Sequence, residues 1–300
     1  MRELVIAGRR IADDTPAYVV AEIGGNHGGS RETATRLIQM AASHGVDAVK
    51  FQKRENESLY VRACLEAPYQ NENSFGATYG AHRAALELSP RSLTALGSAG
   101  QAAGVCVFAT PFDERSADHC DELGFPAFKL HSGALTDAPL IRHVAAFGKP
   151  VILSTGGGTL EDIHRAVLLL EDVPHALLHC TASYPLTPAE ANLQVIRTLR
   201  GQYPNTVIGW SSHATGPALS LVAYALGARI IEHHVTLDRA SKGTDHAFSL
   251  EPGGLRWLME ELRKAHVAMG DGIKRFYPSE VAPIAKMRRV QTPEGWRITG

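Results

Sequence analysis

The stretch "ARIIEHHVTLDR", residues 228 to 239, closes an apolar run on a glutamate and two histidines. Side chains of an extended strand alternate between faces, so Glu232 and His234 share one side and His233 takes the other. An imidazole and a carboxylate on one face can handle a proton or a divalent metal. A second stretch, "TVIGWSSH" from Thr206, ends in the same manner: Gly209, Ser211 and His213 fall on one face, and the two small residues leave room there. If the two stretches are neighbouring strands, His213 and His234 meet at adjacent ends. Two ligands of a divalent metal, with positions left for water and substrate, need that arrangement. Glu232 would orient a ligand or a water from the same face.

Two further stretches, "DAVKFQ" from Asp47 and "AFKLHSG" from Ala127, hold a lysine behind β-branched or aromatic residues. In a central strand Lys50 and Lys129 reach solvent only where the strand ends. With Thr110, Ser132, Ser154 and Ser211 they form a ring of donors, and "STGGG" from Ser154 adds backbone N–H groups near a helix start. Such a ring suits a phosphate or a phosphorylated carboxylate.

Something must gather these residues. Eight short apolar or β-branched runs recur, beginning near Tyr18, Asp47, Gly104, Ala127, Pro150, Ala176, Thr206 and Ala228, and segments of helical spacing such as "RETATRLIQMAASHG" and "LEDIHRAVLLLED" lie between them. Strands apolar through most of their length, alternating with helices, predict a parallel sheet covered outside. Eight such units predict a closed (β/α)8 TIM barrel, whose catalytic groups stand at the C-terminal strand ends. All eight runs end polar, with Glu22, Gln52 and Tyr184 among the end residues. Residues 1–16 read as an N-terminal hairpin capping the barrel, residues 53–86 as a polar insertion on the active-site face, and residues 279–300 as a tail after a barrel domain of residues 1–278.

Bulk properties fit small-molecule chemistry. A chain of 300 residues with 44% hydrophobic content buries a large core. Its net charge of −1 offers no general field for nucleic acid or an anionic membrane. There is no secretory leader and no window near the ~18 apolar residues of a spanning helix, so a cytoplasmic protein is expected. The four cysteines form no C-x-x-C pair and read as reduced core or near-core residues.

The ordered motifs "AEIGGNHGG", "VKFQ", "ATPFDERSAD", "FKLHSG", "ILSTGG", "LHCTASYP", "GWSSH", "IIEHHVTLDR" and "GTDHAFSLEP", from about Tyr18 to Pro252, resemble the N-acetylneuraminate (sialic acid) synthase family, which includes legionaminic and pseudaminic acid synthases. That resemblance implies a metal-dependent condensation of phosphoenolpyruvate with the aldehyde form of an N-acyl amino sugar, in a homodimer. It implies that Lys50, Thr110, Lys129, Ser132, Ser154 and Ser211 hold phosphoenolpyruvate. His213 and His234 would hold the metal, usually Mn²⁺, while Glu22, Gln52, Tyr184 and Asp245 stand near the reacting centre and the sugar. Glu22 and Asp245 are both candidates for the base.

The chain departs from the family pattern at Ala134, where a glutamate is common, at Ala182, often asparagine, and at Ser212, commonly aspartate. The family usually continues into an antifreeze-like domain whose arginine completes the partner subunit's sugar site, and the expectation here is the barrel without it. The acceptor is then unusual, or another chain supplies the missing contacts. Alternatives are a synthase of ordinary acceptor range, a non-catalytic barrel binding a phosphorylated metabolite as sensor or subunit, and a metal-dependent hydrolase.

Overall fold

A strand buried on both faces needs partners on both edges and cover on both sides, and eight such strands meet those needs by closing on themselves. The computed structural model, which describes residues 2–299, shows this closure. An antiparallel hairpin of β1 (Glu3–Ile6) and β2 (Arg9–Ala12) comes first. The ring consists of β3 (Tyr18–Glu22), β4 (Ala48–Lys53), β5 (Cys106–Pro111), β6 (Phe128–Leu130), β7 (Val151–Ser154), β8 (His175–Cys180), β9 (Val207–Ser212) and β10 (Ile230–His234). They pair in parallel in chain order, and β10 returns to β3 to seal the ring. This is the (β/α)8 barrel and N-terminal hairpin predicted from the sequence.

Local signals set the covering helices. Ser30 caps the helix Arg31–Ser43 by accepting from Thr33 N–H, and its buried Ala34, Leu37, Ile38 and Ala41 recur at helical spacing against the sheet. After the "STGGG" turn, Thr159 and Asp162 form a reciprocal capping box that starts the helix Leu160–Leu168. The polar insertion folds into short helices, Asn56–Leu59, Arg62–Glu66 and Tyr79–Leu86.

Counting back by twos from the polar strand ends identifies the lumen floor. Tyr18, Val20, Ala48, Phe108, Ile152, Leu178 and Ile230 occupy it, and none is more than 1% exposed. Gly209 belongs to this layer because nothing larger fits: a Cβ there would stand 2.4 Å from Leu178 Cδ2 and 2.5 Å from the Ile230 carbonyl oxygen. The hairpin is fixed at the opposite end from the polar mouth. Asp13 pairs with Arg2 at 3.2 Å and with Arg200 at 2.7 Å, and its carbonyl accepts from Arg229 Nε at 3.1 Å.

The chain forms two compact units, one ending at His266 and the other beginning at Val267, a division earlier than the 278/279 boundary read from the sequence. The second unit contains a short helix, Val281–Ala285, and an antiparallel hairpin of β11 (Arg289–Thr292) and β12 (Gly295–Ile298). Among the described residues no helix is long and apolar enough to cross a membrane.

Replacing Gly209 by alanine should lower stability by about 2 kcal/mol through overpacking and the thermal midpoint by several degrees. Gly201→Ala, where a Cβ meets nothing within 4 Å, should leave the midpoint unchanged or raise it. Equal midpoints for the two variants would show that the floor has slack.

Candidate active site

Strand register delivers the polar groups in rows. His234 stands level with Glu22, and Glu22 with Lys50, while Glu232 stands level with Ser211. The rows open into a cavity of about 590 Å³ at the C-terminal strand ends. Every site residue predicted from the sequence lines it: Glu22, Lys50, Gln52, Thr110, Lys129 and Ser132 on one side of the ring, and Ser154, Tyr184, Ser211, His213, His234 and Asp245 around the other. His233 turns away, its Nε2 3.3 Å from the Gly216 carbonyl oxygen.

Lys129 crosses the lumen from β6 towards β10, its opposite in the ring. Its Nζ donates to Ser154 Oγ at 2.7 Å and lies 3.4 Å from Glu232 Oε1. Lys50 Nζ donates to Thr110 Oγ1 at 2.7 Å and lies 2.5 Å from Glu22 Oε2. None of these four charged residues is more than 5% exposed. Burial pushes Glu232 up, but Lys129, Lys50 and the Ser211 hydroxyl, 3.0 Å away, outweigh it and hold the carboxyl at about 2. Burial also pulls the Lys129 ammonium below the ordinary lysine value, against the attraction of Glu232. The two buried pairs cancel in charge, so the deep part of the cavity is rich in donors yet neutral.

Glu22 Oε1 accepts from Gln52 Nε2 at 2.7 Å, and Gln52 Oε1 accepts from Arg54 Nη2 at 2.6 Å. A Cβ on Gly24 would stand 3.1 Å from Glu22 Oε1, 3.3 Å from Gln52 Nε2 and 3.5 Å from Asp245 Oδ2. That glycine, at φ +53°, lets three polar side chains converge on one point of the wall.

The ring centroids of His213 and His234 are 5.6 Å apart. The Thr181 carbonyl oxygen lies 2.9 Å from His213 Nδ1, which fixes the ring and leaves Nε2 free. Burial, with His234 beside it, lowers His213 to about 3 and keeps it neutral, the form in which imidazole ligates. His234 Nδ1 is buried without a hydrogen-bond partner, 3.7 Å from Asp245 Oδ2. This pair fits a divalent metal. Among the described residues no three His, Cys, Asp or Glu side chains form a metal-holding group, so substrate and water would supply the remaining positions, as in catalytic sites. The Tyr184 ring covers His213 at 4.0 Å between centroids.

The sequence reading missed several wall residues: Arg54, Asn73, Arg83, Phe112 and Thr244. Most come from the insertion and from loops without strand periodicity; Arg54 and Phe112, directly after the ends of β4 and β5, carried the positional signals available. Cys180, read with the other cysteines as a reduced core or near-core residue, is free, buried and part of the cavity wall. Of the three departures from the family pattern, Ala182 lines the cavity, Ala134 is buried in the turn Ser132–Thr136, and Ser212 faces away from the lumen with its hydroxyl accepting from Ala214 N–H.

Residues 37–274 match the model of the NeuB family. The chain is similar to the N-acetylneuraminate-9-phosphate synthase of Homo sapiens, 37% identical over 97% of this chain and 83% of that protein. It is similar to the N,N'-diacetyllegionaminic acid synthase of Campylobacter jejuni, 36% identical over 90% of this chain and 83% of that one. Among solved structures it resembles the N-acetylneuraminic acid synthetase of Leptospira borgpetersenii in complex with citrate, with a TM-score of 0.83 and 32% identity, covering 94% of this chain and 95% of that one.

The loop that follows Glu22 is itself pinned. Asn26 Nδ2 donates to the Val235 carbonyl oxygen and to Ser249 Oγ, both at 2.9 Å, and His27 Nδ1 accepts from Gly29 N–H at 2.9 Å. Burial lowers His27 to about 4, against a backbone hydrogen bond at Gly24 that raises it. Because the unfolded histidine titrates near 6.5, the unfolded chain binds more protons below that pH. The folded state therefore has its full stability above pH 6.5 and loses it as pH falls towards 4. Denaturant unfolding at pH 7.5 and pH 5 should show a loss of about 2 kcal/mol from this group, absent in His27→Gln. An equal slope in the variant would assign the acid sensitivity elsewhere.

Proposed function

The chain belongs to the NeuB family, and from that premise we propose that it is a metal-dependent synthase. It joins phosphoenolpyruvate to a sugar-type aldehyde and yields a 2-keto-3-deoxy sugar acid and phosphate. One observation carries the reading: two buried lysines, four hydroxyl donors and a pair of histidines face the same cavity. The relatives' names differ in their products, so family membership leaves the acceptor open.

In this reading Lys129 with Ser132, Ser154 and Ser211, and Lys50 with Thr110, receive the phosphate and carboxylate of phosphoenolpyruvate through charge-assisted contacts. A Mn²⁺ or similar ion held by His213 and His234 would polarise the aldehyde carbonyl. The enol C3 attacks the aldehyde carbon, whose oxygen takes up a proton. Water adds at C2 and gives up a proton, and the C–O bond to phosphate breaks. Fixed donors meet the developing charge without reorganising. Glu22 is engaged by Lys50 and Gln52 and orients; Asp245, with one oxygen bonded to Thr244 at 2.9 Å and the other facing His234, is the freer carboxylate to move a proton.

Calorimetric titration of phosphoenolpyruvate into metal-stripped protein, with and without Mn²⁺, should show micromolar-range binding, and adding acceptor aldehydes should then release phosphate. Binding without release under any acceptor would favour a sensor barrel, and no binding would sink the synthase. Lys129→Ala should weaken phosphoenolpyruvate binding by about 2 kcal/mol, roughly thirtyfold, and unchanged affinity would remove the lysine from the site. His234→Ala should keep its fold by circular dichroism and lose metal-stimulated turnover; retained stimulation would overturn the metal assignment.

A further inference from the structure

The chemistry above makes no use of His82, the histidine around which the insertion after β4 is packed. It lies on the helix Tyr79–Leu86 and is 1% exposed. Three aromatic rings surround it: the centroids of Tyr69, Phe75 and Tyr79 are 4.5, 5.9 and 6.3 Å from its own. Its Nδ1 accepts from the Phe75 N–H at 3.2 Å, which places the proton of the neutral ring on Nε2. Residues 73–76 are thereby folded back on the helix, so closely that a Cβ at Gly76 would stand 2.6 Å from Ala81 Cβ.

The same segment is held from its other side. Gly243 N–H donates to Asn73 Oδ1 at 3.1 Å, and Lys242 Nζ lies 5.2 Å from the Phe75 ring centroid. Asn73 is itself part of the cavity wall. A proton on His82 Nδ1 would turn the acceptor into a donor facing the Phe75 N–H. It would also set an imidazolium near two cations, Arg83 on its own helix and Lys242 from the loop after β10. Tyr69 and Tyr79 are the other titratable groups packed against the ring, and among the described residues no carboxylate acts on it. Burial, then Arg83 and then Lys242, lower the imidazole below the ordinary histidine value. The unfolded insertion therefore binds the proton more readily, and the folded one is weakened as pH falls below about 6.5.

We propose that His82 is a proton-operated latch on the mouth of the cavity. As the neutral ring it holds residues 73–76 against the helix Tyr79–Leu86; on taking up a proton it releases them and withdraws Asn73 from the wall. The latch is built from the insertion's own contacts and would act whatever reaction the cavity houses.

Hydrogen–deuterium exchange of the whole chain tests it through protection factors, which remove the intrinsic effect of pH on exchange. Between pH 7.5 and pH 5 the amides of residues 73–76 should lose protection, by about tenfold per pH unit below the midpoint of a one-proton transition. Amides of the barrel strands should keep theirs. His82→Asn leaves an acceptor near the place of Nδ1 and cannot titrate, so its protection should not vary with pH. His82→Phe keeps a ring without the acceptor and should leave the segment unprotected at both values. Wild-type protection that is flat with pH would overturn the latch. The same loss in His82→Asn would also overturn it and pass the response to His27, whose loop approaches Phe75 at Gly28. Lys242→Gln is an independent check with His82 intact: at low salt the midpoint should move to higher pH, because a facing cation is gone. An unmoved midpoint would assign the transition to another group and refute the latch.

Discussion

An ion pair that spans the barrel governs the rest of the site. Lys129 and Glu232 come from strands on opposite sides of the ring and meet 3.4 Å apart in a setting almost closed to water. Breaking such a pair by removing one partner typically costs about 3–5 kcal/mol, because the survivor is left charged and buried. From the flanking strands the Ser154 hydroxyl accepts from the lysine and the Ser211 hydroxyl donates to one oxygen of the carboxylate, whose other oxygen is buried without a hydrogen-bond partner. The apolar layer beneath, from Tyr18 to Ile230, keeps the pair from settling lower into the lumen. A hydrophobic substitute would serve stability as well or better, so a charged bridge at this depth is best explained by what it receives from above.

The wall over that bridge is assembled from irregular pieces. Gly243 N–H donates to Asn73 Oδ1 at 3.1 Å, and Lys242 lies 5.2 Å from the Phe75 ring, so the insertion after β4 and the loop after β10 are joined directly. Asn26 ties the loop after β3 to the same segment. Strand ends thus set the deep groups, and loop-to-loop contacts set the rim. The depth of the site carries balanced charge, and the rim on the side of β4 carries the excess of cations.

Much of this was legible in the sequence because alternation is a hard constraint. A strand of known register has only two faces, so placing Glu232 and His234 on one and His233 on the other needed no structure. The barrel followed from eight apolar runs with helical spacers for the same reason. Pairings across the ring were not legible, because Lys129 and Glu232 lie about a hundred residues apart in a chain that gives no sign of lumen width. Arg83 was hidden for another reason: its place depends on how a non-periodic insertion folds back. Ser212 shows a further limit. A departure from a family pattern at a strand end reads as a change in the site, yet the side chain points away from it.

The hairpin at the foot of the barrel has a consequence for traffic. With Asp13 clamped by Arg2, Arg200 and Arg229, and the lumen packed above it, the chamber has its opening at the other end. Lys129 lies near the blind end and Arg83 nearer the threshold. With one mouth, passage is a matter of depth: whatever reaches Lys129 goes in past the rim and comes out past it.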